Sequence, residues 1–200
     1  MVILLKIFLI ATTTSIPKDK KGDLCDSDNY RGIALASCLT KIMDYIILSR
    51  YGQHFKSSDM QFAFKPKHST VMCISVFKEV VKYYNCRNSN VYCCMIDASK
   101  AFDRIRFDKL FEILSKRGLP PHILSLLIDM YTRQKLRTVW INEHTDYFSI
   151  KNGVRQGGVL SPILFTIYMD TLLAQLKDNG VGCTIGNTYF GALSYADDLA

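Results

Sequence analysis

Three carboxylates carry the strongest chemical signal in the chain. Asp97 follows directly on the apolar run at residues 91–96, and Asp197 and Asp198 close the run Tyr-Phe-Gly-Ala-Leu-Ser-Tyr-Ala at residues 189–196. A carboxylate at the tip of a buried strand is costly unless something satisfies it. Three of them converging from two strand ends repel one another, and hard divalent cations, which take oxygen ligands, reverse that balance. Two Mg²⁺ ions, with Mn²⁺ as a substitute, can activate a 3′-hydroxyl and stabilise a pyrophosphate leaving group in phosphoryl transfer. Asp97 alone reads better as a helix cap, and the Asp-Asp pair alone as an acidic surface turn. Their flanking sequences decide between the readings.

The elements that must position these groups follow from periodicity. Leu39, Ile42, Met43, Ile46, Ile47 and Tyr51 fall at helical spacing, with Gly52 as a stop signal. A second amphipathic helix is predicted over residues 70–84, with Ile74, Phe77, Val81 and Tyr84 on one face. A turn follows at residues 85–90. The unbroken run Val-Tyr-Cys-Cys-Met-Ile at 91–96 predicts a strand buried on both faces, with Cys93 and Cys94 as small core residues. Phe107, Leu110, Phe111 and Leu114 form a helix stripe ended by Gly118, and Pro120-Pro121 opens another helix. Residues 137–150 predict a hairpin turning near 142–146. Ser161-Pro162 opens a helix to about Lys177. The last stretch begins as a strand at Tyr189 and is expected to stop without a partner. The sum is an α+β chain.

Charge divides the chain unevenly. Residues 1–90 hold 13 Lys+Arg against 7 Asp+Glu, whereas residues 91–200 hold 12 against 11. The first part is therefore the electropositive one; on charge alone it reads as a solvated basic surface, with a face for phosphates as the alternative. The seven cysteines include no CxxC pair, which predicts a reducing compartment with neither a disulfide framework nor a zinc site. The apolar segment at residues 1–11 is too short to span a membrane and carries no Lys or Arg ahead of its apolar run, so a first strand is expected there rather than a secretion signal or membrane contact. An intracellular location, nucleus or cytoplasm, is the matching expectation.

Met95-Ile-Asp-Ala-Ser-Lys-Ala-Phe-Asp103, Asn152-Gly-Val-Arg-Gln-Gly-Gly-Val-Leu-Ser-Pro-Ile-Leu-Phe165 and Tyr195-Ala-Asp-Asp198 occur in that order. They closely resemble the palm motifs of reverse transcriptases from non-LTR (LINE-type) retrotransposons. Upstream, Ile16-Pro-Lys18, Asn29-Tyr-Arg-Gly-Ile33, and Gln61-Phe-Ala-Phe-Lys65 with His68-Ser-Thr70 resemble the fingers motifs. A lone Tyr-Ala-Asp-Asp is weak, but the ordered set over residues 16–200 is specific. The resemblance implies right-hand polymerase fingers at 16–90 and palm at 91–200, after an apolar segment at 1–15. It implies Asp97, Asp197 and Asp198 as metal ligands, with Asp97 and Asp197 foremost and Asp198 in support. Phe102 stands where the family places an aromatic gate against a ribose 2′-hydroxyl, and Asp103 resembles a structural acid of the loop. Gln156 and Gly157 are expected at the incoming nucleotide, and Arg31 at its triphosphate. Lys18, Lys65 and Arg155 are weaker candidates for phosphate contacts. The implied partners are an RNA template, a DNA 3′ end as primer, and dNTPs.

Two small departures appear. Arg31-Gly-Ile-Ala34 stands where the family more often has Arg-Pro-Ile-Ser, and Ala63 where many relatives carry Gly. The chain is also expected to stop before the rest of the palm and the thumb, which predicts weak, salt-sensitive nucleic-acid binding and no extension by residues 1–200 alone. A decayed or domesticated fragment that binds RNA or protein without catalysis is the alternative. A group II intron maturase or telomerase relative shares the chemistry, but the wording of Lys100-Ala-Phe-Asp103 and Arg155-Gln-Gly-Gly158 is closer to LINE-type elements.

Overall fold

The structure, a computed structural model, describes residues 6–141, 143–155 and 157–200. In chain order the elements are α1 (Lys6–Leu9), β1 (Ile10–Pro17), β2 (Tyr30–Ala36), α2 (Cys38–Tyr51), α3 (Thr70–Asn85), β3 (Ile96–Asp97), α4 (Phe107–Lys116) and α5 (Pro121–Thr132). They continue with β4 (Lys135–Trp140), β5 (Glu143–His144), β6 (Phe148–Ser149), α6 (Ser161–Asp178), β7 (Thr184–Ile185), β8 (Thr188–Tyr189), β9 (Ser194–Tyr195) and β10 (Asp198–Leu199). Two compact units divide them. One holds the described residues up to His54 together with Phe102–Ser161, and the other holds Phe55–Ala101 with Pro162–Ala200. Residues 85–90, where the resemblance implies that fingers give way to palm, lie inside the second unit. The units interleave in sequence because each is closed by pairing between distant segments.

In the first unit β1, rich in Thr and Ile, runs antiparallel to β2 and parallel to β4, and β4 also pairs with β5 and β6. The hairpin expected at 137–150 is this β4–β5–β6 arrangement, with Asn142 outside the described residues. Ser37 caps α2 by accepting from the Leu39 amide at 3.1 Å. The buried face of α2 differs from the apolar one. Thr40, Asp44 and Ile47 are buried, whereas Leu39, Ile42 and Ile46 are half exposed. Polar contacts of Asp44, described below, outrank the apolar stripe in orienting this helix. α4 buries Phe107, Leu110, Ile113 and Leu114, and α5 buries Ile123, Leu127, Met130 and Tyr131. Gly118 ends the α4 segment at φ +73°.

In the second unit Ser69 caps α3 by accepting from the Met72 amide at 3.2 Å. Leu173 of α6, Ala192 and Leu199 form a buried cluster, against which Met60, Leu176 and Tyr189 pack. Two expectations fail here. The apolar run at 91–96 is not a strand buried on both faces: only Ile96 and Asp97 pair, Tyr92 is 92% exposed, and Cys93 and Cys94 are exposed. A strand exists only where a partner supplies hydrogen bonds, and β10 meets β3 at Asp198 and Leu199 alone. Nor does the last stretch stop without a partner. The chain turns at Ala196-Asp197, and β10 returns antiparallel to β9. Leu193 and Ala200 exchange both backbone hydrogen bonds, at 2.8 and 2.9 Å, so the hairpin spans residues 193–200. No helix among the described residues is long and apolar enough to cross a membrane.

The turn at Asn152-Gly153 is tightly docked on residues 102–105 of the first unit, where a 3-10 turn ends at Arg104. Gly153 N–H donates to Ile105 O at 2.7 Å and Val154 N–H to Phe102 O at 2.9 Å. A Cβ on Gly153, at φ +86°, would stand 2.8 Å from the Asp103 Cα. Gly153→Ala should therefore lower the unfolding free energy from urea titration by more than the roughly 1–2 kcal/mol of a left-handed backbone. Gly118→Ala, also left-handed but with open space around it, should carry that penalty alone. Equal stability of the two variants, measured by circular dichroism, would contradict the docking.

Candidate active site

Asp97 and Asp198 are direct partners in the β3–β10 ladder. Residues opposite one another in an antiparallel pair share a face, with Cβ atoms about 4.5–5.5 Å apart. Both are exposed. Asp197 is half-buried in the turn before them. The expected convergence of three carboxylates is thus a facing pair with the third on the adjoining turn. Among the described residues no three His, Cys, Asp or Glu side chains form a ready metal-holding group. The reason is local: Asp197 is a turn residue, outside the ladder alternation that puts Asp97 and Asp198 on one face. The donor set still fits a hard cation, since it consists of exposed carboxylate oxygens on adjacent strands. An apolar cleft of about 370 Å³ opens beside the pair, walled by Cys73, Ile74 and Phe77 of α3 and by Leu193 and Leu199. The carboxylates are therefore at the rim of an apolar wall.

The other candidates divide between the units. In the second unit Lys65 turns inward and donates to the Ser58 carbonyl. Burial lowers its pKa, and Asp59 and Asp170 oppose that shift. The ammonium expected on a phosphate is therefore a half-buried structural donor. In the first unit Lys18 donates to Asp28 O at 2.8 Å, closing the β1–β2 loop, and Arg31 is exposed on β2 opposite Ile16. Phe102 is half-buried on the 3-10 turn. Gln156 lies outside the described residues. Gly157, at φ +99°, approaches β2 so closely that a Cβ would stand 2.9 Å from Ala34 O.

Arg155 is placed otherwise than the phosphate contact expected of it. It is buried, donating to Gln134 Oε1 at 2.7 Å and to Phe8 O at 3.3 Å. Desolvation lowers its pKa, and Tyr131 and Asp44 oppose that shift. Asp44 is buried too and accepts from the Leu160 amide at 3.3 Å. Burial raises the Asp44 pKa, while the Leu160 amide, Arg155 and the Val159 amide pull it down. Tyr131, which shares a hydrogen bond with Ser161, is pushed up to about 12, chiefly by burial and then by the Asp44 charge. A guanidinium inside a protein needs acceptors and a counter-charge. This cluster supplies both, and so fixes the loop on either side of Gly157. Its sequence signal was an Asp at the centre of an apolar helix pattern.

The chain belongs to the reverse transcriptase family: residues 16–200 match the family described as reverse transcriptase (RNA-dependent DNA polymerase). It is 29% identical over 192 residues to a retrovirus-related Pol polyprotein from the type-1 retrotransposable element R2 of Nasonia vitripennis, covering 96% of this chain and 18% of that one. A Pol polyprotein of the same element type from Popillia japonica is 31% identical over 199 residues, covering 94% and 26%. The chain spans about a fifth to a quarter of the length of these curated relatives. Both relatives are named as products of retrotransposable elements. Among solved structures, apo telomerase from Candida tropicalis, truncated from its C-terminal domain, aligns with a TM-score of 0.61 at 14% identity, covering 96% of this chain and 43% of that one. That likeness shows the fold, the α+β right-hand polymerase fold.

Removing the Arg155 charge leaves Asp44 buried without its compensating cation. Arg155→Ala should cost about 3–5 kcal/mol, as breaking buried charge pairs does. Arg31→Ala, on an exposed strand position, should change stability by less than about 0.5 kcal/mol. Urea unfolding of both variants checks this, and similar midpoints would remove Arg155 from the scaffold.

Proposed function

We propose that this domain is the RNA-directed DNA polymerase of a LINE-type element, joining a DNA 3′-hydroxyl to the α-phosphate of a dNTP on an RNA template. The observation that carries the reading is the facing of Asp97 and Asp198 across the β3–β10 ladder. Like charges set directly opposite destabilise a sheet. Their placement at an exposed rim is what a site for divalent cations requires. Asp97 and Asp198 would hold Mg²⁺, or Mn²⁺ in its place, with Asp197 of the adjoining turn as the third ligand. Two such ions, when bound, supply activation of the hydroxyl and neutralisation of the pyrophosphate that leaves.

The chain's own residues do the rest by binding and orienting. Arg31, exposed on β2, offers a planar guanidinium to the triphosphate. Gly157 keeps the backbone near β2 free of side-chain bulk, and Gln156 bonds the incoming nucleotide or template. Phe102 presents a rigid ring to the sugar, so that a 2′-hydroxyl meets carbon where a deoxyribose does not. RNA template, DNA primer end and dNTPs are the partners this reading requires.

In the full-length protein, Asp97→Asn should abolish Mg²⁺-dependent nucleotide incorporation while leaving RNA affinity nearly unchanged, because one ligand is lost and no basic residue is. Incorporation that survives the substitution takes Asp97 out of the mechanism. RNA binding without any incorporation by the unsubstituted protein would instead favour a non-catalytic role. Phe102→Ala should raise the ratio of rNTP to dNTP incorporation, since the smaller side chain leaves room for the hydroxyl. An unchanged ratio in single-nucleotide extension returns Phe102 to a packing role.

A further inference from the structure

Gln61 opens the Gln61-Phe-Ala-Phe-Lys65 segment, to which the chemistry above gives no task. Its side chain is fully buried and its amide is fully used. Oε1 accepts from the backbone N–H of Ala63 and from that of Ala196, each at 3.0 Å. Nε2 donates to Ser194 Oγ at 3.0 Å and to the Ala196 carbonyl at 3.4 Å. Ser194 Oγ also donates to that carbonyl, at 3.2 Å. One side chain thus holds both backbone groups of Ala196, the first residue of the turn between β9 and β10. The segment's backbone is tied to the same strand: Phe62 N–H donates to Ser194 O, and Ser194 N–H to Met60 O, both at 2.8 Å.

Ala196 needs such a hold. Its φ of +58° lies in the left-handed region, which an L side chain disfavours and glycine does not. A primary amide is suited to satisfy an N–H and a C=O of one residue together, because it presents an acceptor and a donor side by side. The orientation of the amide follows from its surroundings, with two N–H donors on one side and two oxygens on the other.

We propose that Gln61 is a positioning residue for the acidic hairpin. By clamping Ala196 it sets the turn that carries Asp197 and starts β10 so that Asp198 stands opposite Asp97. This rests on the reading of the three carboxylates as the catalytic set. It goes beyond that reading by giving the Gln61 segment a function in the geometry of the hairpin.

The test uses the full-length protein and three measurements: hydrogen exchange at the Ala196 amide, Mn²⁺ affinity, and steady-state incorporation. Gln61→Met keeps the length of the side chain and removes every hydrogen bond. It should speed Ala196 exchange by about tenfold or more, since that amide loses its acceptor. Mn²⁺ binding should weaken by at least about threefold, and kcat should fall on the order of 100-fold, the scale of an ångström's misplacement. KM for template–primer should stay within about twofold, because no residue that binds it has changed. Adding Ala196→Gly to Gln61→Met should restore kcat by about tenfold, as glycine adopts the left-handed turn unaided. A merely structural Gln61 would lower the melting temperature without that rescue. Wild-type kcat and Mn²⁺ affinity in Gln61→Met, or a loss that Ala196→Gly does not relieve, would overturn the proposal. If Gln61→Met does not fold, Ser194→Ala takes its place. A fall in kcat of about threefold or more at constant KM then supports the clamp, as expected when one bond of a positioning network is lost, and an unchanged kcat overturns it. Asp97→Asn is run in parallel. Should it retain incorporation, the catalytic reading fails while Ala196 exchange still reports on the clamp.

Discussion

Two like charges stand opposite one another on a ladder only two residue pairs long, and the second unit is organised around holding them there. Asp198 faces Asp97, and the next pair, Leu199 with Ile96, is the only other one in the β3–β10 ladder. Such a pairing cannot hold itself together, since opposed carboxylates weaken a sheet. Its anchorage comes from the side of β10 away from Asp198. Leu199 is buried with Leu173 and Ala192, so the alternation of the strand puts one residue in the core and its neighbour in solvent. Apolar burial thereby fixes the register, and the register fixes where the charges stand.

The first unit solves a different problem with similar means. The described loop residues, 152–155 and 157–160, must hold a glycine-rich backbone in one conformation, although glycine is the residue that loses most freedom on ordering. Close contacts restrain it: Gly153 against Asp103 and Gly157 against the Ala34 carbonyl. Between those contacts Arg155 runs into the interior to Gln134, near the carboxylate of Asp44, which itself holds the Leu160 amide. A loop clamped by buried charge tolerates little change at the clamp, because a partner left behind has no water to turn to. The free energy that holds the loop therefore resides in groups that a ligand does not reach.

Much of this was legible in the sequence, and the limits are instructive. Helix positions followed from spacing and punctuation: α2, α3, α4, α5 and α6 all lie where periodicity, the Ser161-Pro162 pair, Pro120-Pro121 and the glycines placed them. The three acidic residues and their order in the chain were equally plain. Which face of α2 turns inward was not, because the hydrophobic stripe of Leu39, Ile42 and Ile46 is more conspicuous than a single Asp44. Periodicity registers apolar residues and is silent about a buried hydrogen bond to a loop over a hundred residues away. The run at 91–96 misled for the opposite reason. Its composition suits a strand, but a strand is a property of two segments, and β10 pairs with the run at Ile96 alone before continuing to Asp97. The hairpin turn at Ala196-Asp197 was hidden because alanine gives no sign of a left-handed backbone; the information lies at Gln61, 135 positions away.

In both units, then, the groups suited to chemistry and the groups that fix geometry belong to opposite environments. Asp97, Asp198 and Arg31 are exposed, where carboxylates and a guanidinium remain charged and reachable. Gln61, Asp44 and Arg155 are buried and spend their hydrogen bonds on backbone or on other buried side chains, Gln61 on Ser194 and Arg155 on Gln134. The division has a physical cause. A polar group in a low-dielectric interior makes stronger, more directional bonds, so it can specify one backbone conformation where apolar contacts would permit several. The same burial makes it useless to a substrate. Exposed groups, conversely, can meet a ligand but cannot hold their own position against solvent. A site needing tight placement and open access must therefore recruit both kinds of residue, and the fold joins them through a few backbone atoms: the amide and carbonyl of Ala196 in one unit, the amide of Leu160 in the other.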